Sequence, residues 1–172
     1  MAIIFKNFKS QLSNSVPILL LYFLSVTELD TQFSNYFEIL SFNLQFIIIY
    51  YWILRDPSIL GYGFVFLCGV INDVVLSLPM GTSALSYLFV SLSAAYVRNA
   101  TVRSTLITDW FTFLLAVIIG NFITYFLLKN FTEFKIEYTS MFFNSLFTFI
   151  LYPVFWGIFE LYKRSINLKT YD

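Results

Sequence analysis

The sequence predicts an all-α integral membrane protein, a six-transmembrane-helix bundle, and three observations predict it. The first is composition: 59% of the 172 residues are hydrophobic and 12% charged, where a soluble domain carries roughly a quarter charged residues. Mean hydropathy is +0.77, more apolar surface than a chain of this length can hide in a core of its own. The second is six long apolar runs, each near the roughly 20 residues that cross a bilayer. The third is the alternation of cations between the connecting loops.

The expected spans, within a single transmembrane domain covering 1–172, are 10–27, 36–54, 59–78, 82–97, 105–128 and 139–162. Lys6 and Lys9 precede the first run, as they would in a signal peptide. No small-residue cleavage site follows, so an uncleaved first helix is expected. With the N-terminus in the cytoplasm, eight of the ten Lys and Arg residues fall on cytoplasmic segments, among them Arg55, Arg98, Arg103, Lys163, Arg164 and Lys169. Lys129 and Lys135 fall outside, and the first outer loop carries Glu28, Asp30 and Glu38. Both termini are therefore expected in the cytoplasm. Trp52 and Trp156 lie near span ends, where amphipathic rings favour the membrane interface. The loops leave no room for a soluble domain, and no internal repeat is evident.

Lipid gives helices no hydrophobic reason to associate, so small and polar residues should mark the contacts. Gly61, Gly69, Asp73 and Ser77 share a face of span three, with Cys68 and Asn72 beside it. Ala84, Ser91, Ala95 and Arg98 do so in span four, and Thr112, Ala116, Gly120 and Thr124 in span five. Asn144 and Thr148 precede Pro153 and Gly157 in span six. Two readings follow: close helix–helix contacts, or a pocket lined by Asn72, Asp73, Asn121 and Asn144.

Asp73 is the one acid well inside a span, about 8 Å below its outer end at ~1.5 Å per residue. An ionised aspartate near the bilayer centre costs roughly 2.5–3.5 kcal/mol on insertion scales. It is expected to be neutral, hydrogen-bonded across the bundle, or wetted from outside. Pro79 ends the helix, Gly81 permits the turn, and Thr82 or Ser83 can cap the next helix. Asp73 either clamps this hairpin or binds a solute or a partner. Of the remaining acids, Asp56 belongs to a tight turn, Asp109 to a first helical turn, and Glu160 is expected to pair locally with Lys163 or Arg164.

No enzymatic chemistry is indicated. The chain has no histidine and one cysteine, Cys68, and its carboxylates are scattered, so no catalytic group, metal site or cofactor is expected. Gly61-Tyr62-Gly63 does not make a phosphate-binding loop. A net charge of zero points to no nucleic acid.

One stretch carries a resemblance. Phe66-x-x-Gly69-x-x-x-Asp73, followed by Pro79-x-Gly81-x-x-Ala84-Leu85, resembles the signature of the rod shape-determining MreD family. Tyr51 to Pro57 is similar to the family's segment between spans two and three, and Pro17 and Pro153-x-x-Trp156 fit its two ends. The family's Gly-Leu-Leu-x-Asp reads here Gly69-Val70-Ile71-Asn72-Asp73, so Asn72 adds polarity. The resemblance implies a non-enzymatic scaffold or adaptor of the bacterial cell-elongation complex, a multi-pass protein of the inner (cytoplasmic) membrane. Its implied role is to maintain rod shape and cell wall organisation by coupling MreC and the cytoskeletal MreB to peptidoglycan synthesis. The implied partners are MreC, MreB, an elongation glycan polymerase, a class B penicillin-binding transpeptidase and membrane lipid. The implied fold resembles the substrate-binding (S-component) subunits of energy-coupling-factor vitamin transporters, and such a subunit is the alternative function. Candidate partner or cavity residues are Gly69, Asn72, Asp73, Pro79, Gly81, Asn121 and Asn144.

Overall fold

A computed structural model describes residues 15–27, 43–101, 105–131 and 138–171. Among these the protein is all-helical, with six helices and no strands: α1 (Ser15–Val26), α2 (Leu44–Arg55), α3 (Tyr62–Val75), α4 (Thr82–Ala100), α5 (Leu106–Phe131) and α6 (Tyr138–Tyr171). Residues 10–14 and 36–42 of the first two expected spans lie outside the described residues. So do Lys6, Lys9, Glu28, Asp30, Glu38, Arg103 and Lys135.

Of the six expected spans, only α5 and the Thr139–Ser165 stretch of α6 are, among the described residues, long and apolar enough to cross a membrane unaided. α2 begins at Leu44 because Asn43 caps it: the Asn43 side-chain oxygen accepts from the Phe46 N–H (3.1 Å), while the Asn43 N–H donates to Thr148 Oγ1 (2.8 Å). α3 ends at Val75 rather than Leu78. Ser77 adopts the left-handed conformation (φ 53°), and the N–H groups of Ser77 and Leu78 turn back to the carbonyls of Val74 (3.3 Å) and Asp73 (2.9 Å). This is a Schellman stop, with serine where glycine is usual. By contrast α4, α5 and α6 run past their expected ends, to Ala100, Phe131 and Tyr171.

α2 is the hub. Its residues Phe46 to Leu54 are all buried, whichever way they face, as befits a helix that is apolar all round. α4, α5 and α6 pack against it, and Gln45 Nε2 donates to the Leu24 carbonyl of α1 (3.2 Å). Trp52, in the last turn of α2, is 2% exposed and packs edge-on to Tyr51 and Tyr162. α4 lies between α2, α3 and α5. Its serines Ser83, Ser86 and Ser91 turn inward and are buried.

The outer surface has the reverse character. Leu85, Phe89, Leu92 and Tyr96 of α4 are exposed, as are Phe111, Leu115, Ile118 and Phe122 of α5. Phe142, Leu146, Ile150 and Val154 of α6 continue the pattern. These spacings of three and four place large apolar side chains in one outward stripe per helix. The buried serines of α4 and the exposed apolar stripes thus lie on opposite sides of the bundle wall.

Proline shapes α6 without breaking it. Pro153 has no N–H to give the Phe149 carbonyl one turn earlier. Trp110 Nε1 of α5 donates to that carbonyl instead (2.8 Å), and its ring stacks on Phe149 at 5.1 Å.

Candidate functional site

The Asp73 hairpin joins α3 to α4, and its residues arrive there for local reasons. Gly69 lets the two backbones touch: a Cβ on Gly69 would lie 2.3 Å from Ala84 Cα. The Schellman stop and Pro79 turn the chain, and Gly81 takes a left-handed conformation (φ 102°) that admits few other residues. Gly81 is the N-cap of α4 and has no side chain to cap it.

Asp73 performs that task from the neighbouring helix. Its Oδ2 accepts from the Gly81 N–H (2.8 Å) and its Oδ1 from the Ser83 N–H (2.7 Å). In a capping box two side chains share this work, one accepting inside the first turn and the other at the cap residue. Here one carboxylate does both, and the positive end of the α4 dipole favours its charge. The carboxylate is fully buried. The expectation that Thr82 or Ser83 would cap α4 is therefore corrected. Thr82 Oγ1 donates to the Pro79 carbonyl (2.8 Å), and the Ser83 hydroxyl is used elsewhere.

That hydroxyl accepts from Asn72 Nδ2 (3.0 Å), and the Asn72 oxygen accepts from Gln45 Nε2 (3.1 Å). The Tyr87 hydroxyl donates to the other end of the Gln45 amide (2.7 Å). Ser86 and Thr124 share a hydrogen bond of 2.6 Å that ties the same part of α4 to α5. A polar seam thus crosses from α1 through α2, α3 and α4 to α5. Gln45 and Tyr87 are absent from the sequence-derived candidates. Gln45 could have been found as the lone amide in an apolar run, whereas Tyr87 looks like any interfacial tyrosine.

The four residues expected around one pocket are distributed among three places. Asn72 and Asp73 belong to the hairpin seam. Asn121 Nδ2 donates to Ser145 Oγ (2.6 Å), in a groove of about 520 Å³ between α5 and α6. The Asn144 carbonyl accepts from Thr148 Oγ1 (2.7 Å), the hydroxyl that receives the Asn43 N–H at the start of α2.

A second polar focus lies at the other end of α4. Arg98 follows Thr82 by sixteen residues, about 24 Å along a helix. Its Nη1 donates to the Ile53 carbonyl in the last turn of α2 (3.0 Å). Nearby, Arg55 Nη2 pairs with Asp109 Oδ2 at 2.9 Å, the aspartate side chain being fully buried. The Arg55 guanidinium lies 5.7 Å from the centre of the Trp156 ring. Arg55 Nε, Asp109 Oδ1, Tyr152 Oη and Trp156 Nε1 are buried here without a hydrogen-bond partner among the described residues. Asp109, expected as a first-turn acid, is thus half of a buried ion pair. Glu160, expected to pair with Lys163 or Arg164, accepts from the Tyr51 hydroxyl (3.2 Å), while Lys163 reaches Asp56 (3.4 Å). α6 here faces α2, so the long-range partners win.

Among the described residues, no three His, Cys, Asp or Glu side chains gather as they would around a metal ion. Cys68 is buried. Comparison with known proteins finds no matching family model, no matching curated protein and no matching solved structure.

Proposed function

We propose that the chain is a six-span, non-enzymatic scaffold of the bacterial inner membrane that supports cell elongation. It would couple MreC and MreB to the glycan polymerase and transpeptidase of peptidoglycan synthesis, as the resemblance to the MreD family implies. The observation that carries this reading is the use made of the Gly69–Asp73–Pro79–Gly81 pattern. Its carboxylate is spent on two backbone N–H groups, which suits a rigid docking corner better than a reacting centre.

The membrane part of the reading is supported by the apolar stripes on the outside of α4, α5 and α6 and by the two helices long enough to cross unaided. The shorter α2 is enclosed by its neighbours, so its ends can meet water or headgroups through them. Arg55, Arg98 and Lys163 gather at the end away from the hairpin, which favours that end in the cytoplasm. The hairpin would then face the periplasmic side, where a membrane-anchored partner such as MreC can reach it.

The test is capture of tagged protein from its native membrane in mild detergent, with the bound proteins identified by mass spectrometry. Recovery of MreC with the polymerase–transpeptidase pair is expected, and Asp73→Leu should weaken it. Recovery of a transporter ATPase pair would replace this reading with that of a solute-binding subunit.

A further inference from the structure

The groove between α5 and α6 shares no lining residue with the hairpin seam. Its walls are apolar, including Val117, Ile118 and Phe122 on one side and Phe142 and Leu146 on the other, with the Asn121–Ser145 pair as the polar exception. On α5 it runs from Leu114 to Tyr125, about 16 Å at ~1.5 Å per residue. That is close to half of the ~30 Å hydrocarbon core, the depth of one leaflet.

A cation stands at one end. Lys129 is one turn beyond Tyr125, and its Nζ lies 5.7 Å from the centre of that groove-lining ring. It has no acidic partner among the described residues. An apolar channel one leaflet deep with an ammonium at its mouth matches a lipid: a hydrocarbon tail below, a phosphate above. The groove offers about 520 Å³ to such a chain.

We propose that the α5–α6 groove is a binding site for an anionic glycerophospholipid, one acyl chain lying between Val117 and Leu146 and the phosphate meeting Lys129. The inference rests on the membrane reading above, though not on the role in cell elongation.

The experiment uses the full chain in phosphatidylcholine vesicles carrying a trace of phosphatidylglycerol with a mid-chain diazirine. The comparison is the same diazirine on phosphatidylcholine, and labelled peptides are mapped by mass spectrometry. The expected result is labelling centred on residues 114–125 and 141–149 and several-fold stronger with phosphatidylglycerol. Lys129→Gln should abolish the headgroup preference and Lys129→Arg should keep it. Even labelling of the outward stripes of α4, α5 and α6, or equal labelling by the two lipids, would overturn the site. Protein washed off the vesicles by alkaline carbonate would overturn the membrane reading and the site with it. Carbonate-resistant protein with even labelling would overturn the site alone.

Discussion

Trp110 makes the hydrogen bond that Pro153 removes. The two residues sit on different helices and meet through one atom, the Phe149 carbonyl, which receives the indole N–H at 2.8 Å. In a bilayer an unmet carbonyl has no water to turn to, so the pair should be coupled. Trp110→Phe keeps the stacking surface and loses the donor, and should cost about 1 kcal/mol. In a Pro153→Ala background the restored backbone N–H can reach Phe149, and the same change should cost markedly less. Unfolding in detergent across this double-mutant cycle measures the coupling; additive losses would break the link.

Asp73 can be tested for charge against hydrogen bonding. Asp73→Asn retains one acceptor oxygen, whereas Asp73→Leu leaves the N–H groups of Gly81 and Ser83 buried and unmet. The expected losses are about 2 kcal/mol for asparagine and about twice that for leucine. The same order is expected for MreC capture. Equal, complete loss of capture in both variants at normal protein level would instead require the charge itself.

Two glycines predict opposite outcomes for one substitution. Gly69→Ala drives a methyl group into the α4 backbone, 2.3 Å from Ala84 Cα, and should cost about 1–3 kcal/mol or more, since backbone cannot step aside. Gly157→Ala meets nothing within 4 Å and should stabilise α6 by up to about 1 kcal/mol through helix propensity. Thermal unfolding of the two variants side by side checks the contrast.

Ser77 is left-handed at a helix stop that glycine would fill without strain. Ser77→Gly should therefore raise stability by about 1 kcal/mol. A rise in melting temperature with unchanged expression is the expected readout, and a fall would mean that the serine hydroxyl has a role of its own.

Arg55 and Asp109 should fail singly and recover together. Removing one partner strands a buried charge, at about 3–5 kcal/mol, while replacing both with apolar residues is often neutral. Arg55→Met and Asp109→Leu are each expected to lower folded yield, and the double variant to restore it. If the double variant stays as poor as the singles, the pair does more than hold α2 to α5.

The local features were readable from the chain because their causes are local. Pro79 and Gly81 announce a turn through their own backbone limits, and the run 105–128 reads as one long apolar helix, which the structure extends to Phe131. Gly69, Asp73 and the Thr112–Thr124 ladder could be assigned to contact faces by spacing alone. Which groups they would meet was settled by packing. The spacing that places Asp73 on a face does not reveal that its carboxylate would cap α4, because that depends on the angle at which the hairpin closes. Gln45 and Tyr87 are 42 residues apart, Arg55 and Asp109 are 54 apart, and Trp110 and Phe149 are 39 apart. Nothing in the intervening residues encodes those meetings. Composition and spacing were enough for an all-helical chain with oily faces and a sharp α3–α4 corner. The pairing of buried donors with acceptors was settled in the folded bundle, because each must be matched by whatever the neighbouring helices bring within about 3 Å.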